Sequence, residues 1–346
     1  MSNTSVTSKS VAKRLGVSHT TVLKAMRGSG GVSDARRDEI RRVAAEMGYE
    51  PSIAAKLLRG NKTGQLGLLV AGPLPVTGEA GFTGPLMSHF VHTCEFLDVP
   101  YHIEVCNCVD QESFVPPKQI TGRLVDGTIV AGALGKPLFD WLESQSSFPW
   151  VCIDEPATYS VHNAIEQGVI QAVEYLHSLG HRRIGFTGGP HFYSTHRLGY
   201  EGYLQAMRQL GLPKPPENWV MQNGLDGLSV DLDTLVPWFE AMFKLPESPT
   251  AMVSHGMRTA RALIYTAMKQ GLRVPEDLSV IAVGTETDAT ASLPSLTSIE
   301  VDYQGIMQQA VTMLRDLIAG QKPNHSQQRF APRMVHRRSV TPVAIL

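Results

Sequence analysis

The chain has 346 residues, with 31 Lys and Arg against 32 Asp and Glu, and 42% of its residues are hydrophobic. This length accommodates two or three domains, each with a sizeable core. No apolar run reaches membrane-spanning length, and the first twenty residues are polar and basic. We therefore expect a soluble, cytoplasmic protein with no signal peptide and no membrane partner. The four cysteines have no spacing typical of a metal or redox site, so we expect buried thiols, no metal and no cofactor.

Charge is distributed unevenly along the chain. Residues 1–62 carry 12 Lys and Arg against 5 Asp and Glu, whereas the remaining residues carry 19 against 27. A small basic module therefore precedes a mildly acidic body. This arrangement is expected of a nucleic-acid-binding head joined to a sensing or catalytic domain.

Two short helices joined by a tight turn are predicted between Val6 and Arg27. Thr7 can cap the first helix, Gly16 can end it, and Ser18 can cap the second. The outward residues of the second helix are hydrogen-bonding or cationic: His19, Thr20, Thr21, Lys24 and Arg27. Such a face suits the base edges and phosphates of a DNA groove. For the hairpin alone, a solvated polar face with no ligand is an equally good interpretation.

A third helix is predicted to run from a cap at Ser33 to Met47. After Pro51, residues 52–59 have helical composition but are too few to form a stable helix alone in water. A helix that needs a partner to form can act as a switch.

A series of motifs runs through residues 6–60. They are Val11-Ala12, Gly16-Val17-Ser18, Thr21-Val22, Val32-Ser33, Gly48-Tyr49-Glu50-Pro51 and Ala55-Lys56-Leu57-Leu58. This segment resembles the DNA-binding head and hinge of the LacI/GalR family of bacterial transcription regulators. The resemblance implies that His19, Thr20 and Lys24 read the major groove of a palindromic operator. It also implies that Ser18, Thr21 and Ser33 hold phosphates.

The same resemblance assigns roles to the hinge. The hinge helices of two subunits would pair in the minor groove, where Ala55 contacts bases and Leu58 wedges open a central step. Lys56, Arg59 and Lys62 supply positive charge to hold the bent backbone. The alternative places Leu58 in a small linker core.

Two positions of the second helix depart from the family pattern. Leu23 stands where a small hydroxyl residue is usual, and Arg27 stands where an asparagine is usual. The first change removes a phosphate contact and the second can replace it. We therefore expect a shifted operator preference.

Strands alternate with helices from Thr63 onward. The predicted strands are 65–71, 101–106, 125–131, 150–154, 183–187, 251–254 and 279–283, and the predicted helices are 86–97, 137–145, 164–179, 197–210 and 257–270. The expected fold class is α/β, with an all-α helix-turn-helix head and a hinge helix followed by two doubly wound subdomains. A cleft is expected at the carboxyl ends of the strands.

Further motifs make this body similar to the periplasmic-binding-protein-like core of the same family. They include Leu179-Gly-His-Arg-Arg-Ile-Gly-Phe186, Pro294-Ser-Leu-Thr-Ser298 and Arg337-Arg338-Ser339. The resemblance implies a head at 1–50, a hinge at 51–62, a first subdomain at 63–157 with 294–322, and a second at 158–293 with 323–346. The chain would cross between subdomains near 156–160, 286–293 and 319–326. Helices 86–97 and 303–318 would help to form a homodimer.

The resemblance also indicates where an effector would bind. Arg197 matches the effector-binding arginine of the family, and its fork suits carboxylate, phosphate or vicinal hydroxyls. The alternative is that Arg197 holds only a local carboxylate. Two other polar positions of the family are replaced by Gly256-Met257 and Gly284-Thr285, which disfavours a standard sugar. Candidate replacement groups are Phe82, Asn223, His255 and Thr285.

The sequence therefore predicts a sequence-specific, dimeric transcriptional repressor that is modulated by a small molecule, with a sugar and an anionic metabolite as the two candidates. A regulator without effector control and, less favoured, a solute-binding protein are the alternatives. An enzyme is not expected, because the sequence lacks the common phosphate-loop, nucleophile-elbow, zinc-protease and dinucleotide motifs. Asp154 and Glu155 are adjacent acids at a strand end, where neighbouring side chains point apart. This geometry indicates positions in the cleft or at a crossover between the subdomains, and it disfavours a catalytic pair of acids.

Overall fold

A computed structural model describes residues 6–27, 31–49, 62–72, 83–106, 114–189, 191, 193–221 and 232–343. The chain divides into two compact units, Met1–Thr63 and Gly64–Leu346. This division falls one residue from the predicted boundary between hinge and body. The first unit is the head and the second is the core, and each is described by itself.

The described part of the head contains three helices, α1 (Ser8–Leu15), α2 (His19–Arg27) and α3 (Asp34–Glu46). One small hydrophobic core joins them. Its fully buried members are Val11, Val22, Ala25, Ile40 and Ala44. These positions recur at three- and four-residue spacings, so each helix turns one apolar stripe toward the other two. The predicted helix-turn-helix and third helix are confirmed.

The first subdomain of the core has a six-stranded, fully parallel sheet. Its strands are β1 (Leu66–Ala71), β2 (Tyr101–Cys106), β3 (Gly127–Gly132), β4 (Trp150–Ile153), β5 (Ser160–Asn163) and β11 (Gln327–Phe330). Their spatial order is β11-β5-β4-β3-β1-β2. Its helices are α4 (Thr83–Phe96), α5 (Lys118–Thr121), α6 (Lys136–Ser144) and α12 (Tyr303–Ile318).

The second subdomain repeats this plan. Its strands are β6 (Ile184–Thr187), β7 (Val220–Met221), β8 (Ala251–Ser254), β9 (Ser279–Gly284), β10 (Thr297–Glu300) and β12 (Arg333–Val335), in the order β12-β10-β9-β8-β6-β7. The edge strand β12 is antiparallel to β10. Its helices are α7 (Ile165–Ser178), α8 (Ser194–Gln209), α9 (Leu232–Phe243), α10 (Met257–Lys269) and α11 (Glu286–Thr290), with a 3-10 turn at Glu217–Trp219.

Both faces of the first sheet are covered by helices. Along β1, Leu68 and Val70 pack into the cluster that contains α4 and α12, whereas Leu69 and Ala71 pack into the cluster on the other face. Successive strand residues point to opposite faces, so a strand covered on both sides is a continuous apolar run. This burial explains why the apolar runs of the sequence predicted the central strands.

The predicted crossing points between subdomains are wrong by several residues. β5 ends at Asn163 in the first sheet, so the first crossing follows it and does not lie near 156–160. β10 belongs to the second sheet, which moves the second crossing from 286–293 to 301–302. β11 lies in the first sheet and β12 in the second, which moves the third from 319–326 to 331–332.

The subdomains that the two sheets define therefore differ from the predicted ones, which were 63–157 with 294–322 and 158–293 with 323–346. The first subdomain consists of 64–163 and 302–330, and the second consists of 164–301 and 331–343. The difference has a physical cause. The missed strands include short edge strands with polar, partly exposed side chains, such as the Gln-Gln-Arg-Phe of β11, which lack an apolar run.

Candidate nucleic-acid interface and ligand cleft

The first helix of the head has well-formed ends. The Ser10 amide donates to Thr7 Oγ1 at 3.3 Å, and the Thr7 amide donates to Ser10 Oγ at 3.3 Å. These two bonds form a capping box. Gly16 ends α1 with φ 64°, a left-handed conformation that a residue with a Cβ rarely adopts. Both predictions for this helix are confirmed, and the turn directs the chain into α2.

The exposed face of α2 carries the candidate base-reading residues. His19, Thr20 and Lys24 are exposed, whereas Val22 and Ala25 on the opposite side are buried. An α-helix advances about 100° per residue, so positions 20 and 24 lie within roughly 40° of each other and point away from the head core. Thr20 and Lys24 are therefore presented together, and His19 is exposed at the start of the same helix. Arg27 belongs to α2, but its side chain lies outside the described residues.

The candidate phosphate-binding residues lie at helix starts. Ser18 Oγ accepts a hydrogen bond from the Thr21 amide at 3.1 Å and contacts Thr21 Oγ1 at 2.8 Å. Ser33 precedes α3 and is exposed, and its side chain makes no capping hydrogen bond. Helix starts carry partial positive charge and favour phosphate. A phosphate-binding role for these residues stays a prediction.

Ion pairing differs among the helices of the head. The three ion pairs between described head residues all lie on α3, where Arg36, Arg37 and Arg42 pair with Glu39, Asp34 and Glu46. These arginines therefore have part of their charge offset locally.

The hinge residues Ala55, Leu58 and Arg59 lie outside the described residues, so their assigned roles stay predictions.

The candidate effector residues occupy different settings. Arg197 follows the start of α8, and its side chain is 46% exposed. Its Nη1 lies 3.6 Å from Glu201 Oε1, and its Nη2 donates to Ser194 Oγ at 3.3 Å. These contacts are those of an arginine that holds a local carboxylate, and a ligand role for it stays a prediction. Phe82 and Asn223 lie outside the described residues.

Thr285 is engaged within its own helix. Its Oγ1 accepts from the Asp288 amide at 3.3 Å and lies 2.8 Å from Asp288 Oδ2, so the side chain caps α11. The sequence suggested Thr285 as an effector-binding residue, but its hydroxyl group is used in these two contacts with Asp288. A ligand role for Thr285 stays a prediction.

His255 forms part of an imidazole pair that the sequence did not predict. Its ring centroid lies 4.3 Å from that of His196, and the Gly189 amide donates to His196 Nδ1 at 2.9 Å. Burial, with His191 nearby, lowers the pKa of His196 to about 4. Burial and His196 lower the pKa of His255 well below its usual value. Both rings are therefore neutral at physiological pH.

Two glycines make room for this pair. A Cβ on Gly189 would lie 2.6 Å from the His196 ring, and a Cβ on Gly199 would lie 2.7 Å from His255 Nδ1. His255 Nδ1 is buried and has no hydrogen-bond partner. Gly189 and His255 each follow a strand, and His196 and Gly199 lie on one helix. These two glycines and two histidines were the signal in the sequence from which the imidazole pair could have been found.

The adjacent acids Asp154 and Glu155 diverge as expected at a strand end. Asp154 Oδ1 accepts from the Asn163 amide at 2.7 Å, and Asp154 has φ 66°. Burial, opposed by this hydrogen bond and reinforced by Glu155, raises the pKa of Asp154 to about 7. Glu155 turns toward α8 and accepts two hydrogen bonds from Ser194. The sequence placed Glu155 in the cleft or a crossover but did not predict this partner.

The remaining predictions from the sequence concern metal-binding groups, membrane spans and cysteines. Among them, no group of three or more His, Cys, Asp and Glu residues could hold a metal ion, and no helix is long and apolar enough to cross a membrane. Cys94, Cys106 and Cys152 are buried thiols, as predicted, and burial raises the pKa of Cys94 to about 12. Cys108 lies outside the described residues.

Two family models match the chain. Residues 7–52 match the bacterial regulatory proteins of the lacI family, and residues 173–340 match the periplasmic binding protein-like domain. The HTH-type transcriptional repressors PurR of Escherichia coli and of Salmonella arizonae are each 29% identical to the chain over 348 residues, covering 96% of both chains. Both relatives are transcriptional repressors.

Solved structures share the fold over nearly the whole chain. A lac repressor dimer bound to operator and the anti-inducer ONPF is similar with a TM-score of 0.82 and 22% identity, covering 97% of this chain and 99% of that one. The complex of the transcriptional regulator CelR with cellobiose is similar with a TM-score of 0.69 and 22% identity, covering 96% and 99%. With a matching head, a matching core and repressors as relatives over 96% of their length, the chain belongs to the LacI/GalR family of bacterial transcriptional regulators.

Proposed function

We propose that the chain represses transcription by binding a palindromic operator as a homodimer. The observation that carries this proposal is the exposed polar face of α2, where Thr20 and Lys24 lie opposite the buried Val22 and His19 is exposed at the helix start. A second helix of this kind fits the major groove, where side chains read base edges. Two heads related by a twofold axis would read two half-sites of a palindrome.

The first subdomain supports the proposed homodimer. Helices α4 and α12 pack against each other on one face of the first sheet, and Phe96 at the end of α4 is 83% exposed. A large exposed apolar side chain beside two paired helices suits a subunit interface. The PurR and lac repressor relatives support a role in repression.

The core is proposed to modulate this binding through the cleft between its two sheets. Glu155 and His255 follow the carboxyl ends of β4 and β8, where a cleft of this kind is expected. Any ligand that prefers one relative position of the subdomains would change operator affinity, and operator binding would change ligand affinity by the same factor. A regulator without effector control is the second candidate, favoured by the contact between Glu155 and Ser194.

Lys24→Ala tests the α2 face. We expect specific operator affinity to fall by about 1 to 3 kcal/mol, or roughly 5- to 150-fold, with smaller loss on random DNA. Lys13→Ala removes the same charge from exposed α1 and serves as the control. It should weaken specific and random binding by similar factors. Fluorescence anisotropy with operator fragments selected from genomic DNA measures both, and identical profiles for the two variants would contradict base reading by α2.

Leu58→Ala tests the predicted hinge wedge. We expect specific binding to weaken far more than non-specific binding, because only the specific complex uses the inserted side chain to bend the duplex. A circular-permutation assay should also show a smaller bend angle. If the two affinities fall equally, the wedge is rejected and Leu58 belongs to the linker core.

A further inference from the structure

A carboxylate from one subdomain binds the helix start of the other. Glu155 follows β4 of the first sheet, and Ser194 begins α8 of the second subdomain. Glu155 Oε1 accepts from the Ser194 amide at 3.1 Å, and Glu155 Oε2 accepts from Ser194 Oγ at 2.6 Å. Both carboxylate oxygens are therefore used in one bidentate contact across the cleft.

The surroundings of Ser194 favour a negative charge at this point. Helix α8 has 16 residues, and its amino end carries the positive end of the helix dipole. Arg197 Nη2 donates to Ser194 Oγ at 3.3 Å. Because that hydroxyl oxygen accepts from the guanidinium, its own proton is directed to Glu155. Arg197 thus acts on the carboxylate through Ser194.

The residue before Ser194 contacts the first subdomain as well. A Cβ added to Gly72, which follows β1, would lie 3.5 Å from the Tyr193 hydroxyl oxygen. Gly72 has φ 146°, so its backbone conformation also disfavours a side chain. Two consecutive residues at the start of α8 therefore meet the ends of two strands in the first sheet.

Two neutral imidazoles lie beside the amino end of α8. His196 lies on the first turn of α8 and packs against His255, and the pKa of each ring is lowered mainly by burial. Neutral imidazoles add no positive charge that would compete with Arg197 and the helix start for the carboxylate. The Glu155 charge is therefore directed to the amino end of α8.

We propose that Glu155 is an internal ligand of the cleft, which holds the two subdomains closed with no small molecule bound. This inference rests on the proposed regulatory role of the cleft and specifies how it is controlled. Closure is supplied by a residue of the chain, so an anionic small molecule has to displace Glu155 to reach the start of α8. Glu155 thereby acts as a specificity-determining residue against carboxylates and phosphates.

Hydrogen exchange of the full-length protein without ligand tests the contact. We expect the Ser194 amide to exchange about tenfold faster or more in Glu155→Ala, since a hydrogen bond to a charged group is lost. Glu155→Gln should give a smaller increase because it keeps an acceptor but loses the charge. Ser194→Ala should accelerate exchange at position 194 because it removes one of the two bonds to Glu155.

Glu201→Ala is the matched control, because Glu201 lies on the same helix and pairs with Arg197 but does not contact Glu155. Its Ser194 exchange should stay within about twofold of wild type. Unchanged Ser194 protection in Glu155→Ala, with a wild-type melting temperature, would overturn the proposal. The measurement uses no DNA, so failure of operator binding would contradict the proposed function without affecting this result.

Discussion

Val22→Asp is expected to abolish specific operator binding while leaving the thermal unfolding of the core unchanged. Val22 is fully buried in the small core of the head. An unpaired buried carboxylate costs several kcal/mol, which is comparable to the total stability of a domain this small. The core forms a separate compact unit and does not depend on this packing.

The expected loss of operator affinity exceeds 100-fold in an anisotropy assay. Calorimetry should show the unfolding transition of the core within about 1 °C of wild type. Ala45→Asp adds the same charge to an exposed site on α3 and should retain operator binding within a few-fold. Operator binding by Val22→Asp within tenfold of wild type would show that the head core does not control the DNA-binding surface.

Asp154→Asn is expected to stabilise the core at alkaline pH. Burial raises the pKa of Asp154 from 3.8 to about 7, so ionising it in the folded protein is unfavourable. The folded state binds more protons than the unfolded state between these values, and the free energy of unfolding therefore falls as pH rises from about 4 to about 7. Asparagine removes this loss. It keeps an acceptor for the Asn163 amide and tolerates the left-handed φ of 66°.

The full shift corresponds to about 4 kcal/mol, and partial exposure reduces the expected gain to about 1 to 2 kcal/mol at pH 8. Chemical denaturation at pH 5 and pH 8 measures the difference, which should be clearly smaller at pH 5. Asp98→Asn is the control, since Asp98 also has a left-handed φ of 52° but is exposed. An equal gain at both pH values would mean that asparagine acts through packing and not through ionisation.

The head could be predicted almost completely from the sequence. Caps such as Thr7, the left-handed Gly16 and the apolar spacing around Val22 are local signals, and each fixes one helix end or one buried face. The central strands were equally accessible, because strands such as β1 are buried on both faces. The short strands β5 and β11 were missed since they pair with each other although they are distant in the chain, and β11 at the sheet edge has no apolar run.

The side-chain contacts in the cleft were harder to predict, because they too join residues that are distant in the chain. Glu155 and Ser194 are 39 positions apart, and nothing in either segment specifies the other. His196 and His255 meet because α8 and the end of β8 are brought together by the second sheet. Sequence patterns identified the carboxyl ends of the strands as the site, whereas the partners at those ends depend on the tertiary fold.

The three crossings between subdomains bear on the order in which the protein is made. The first sheet is completed by β11 at Gln327–Phe330, so its edge stays unfilled until these residues have left the ribosome. The head, in contrast, needs only the first fifty residues to bury its core. A nascent chain can therefore carry a folded DNA-binding head long before it can dimerise. Because one head reads only half of a palindrome, premature termination products should bind DNA weakly and leave the operators to complete chains.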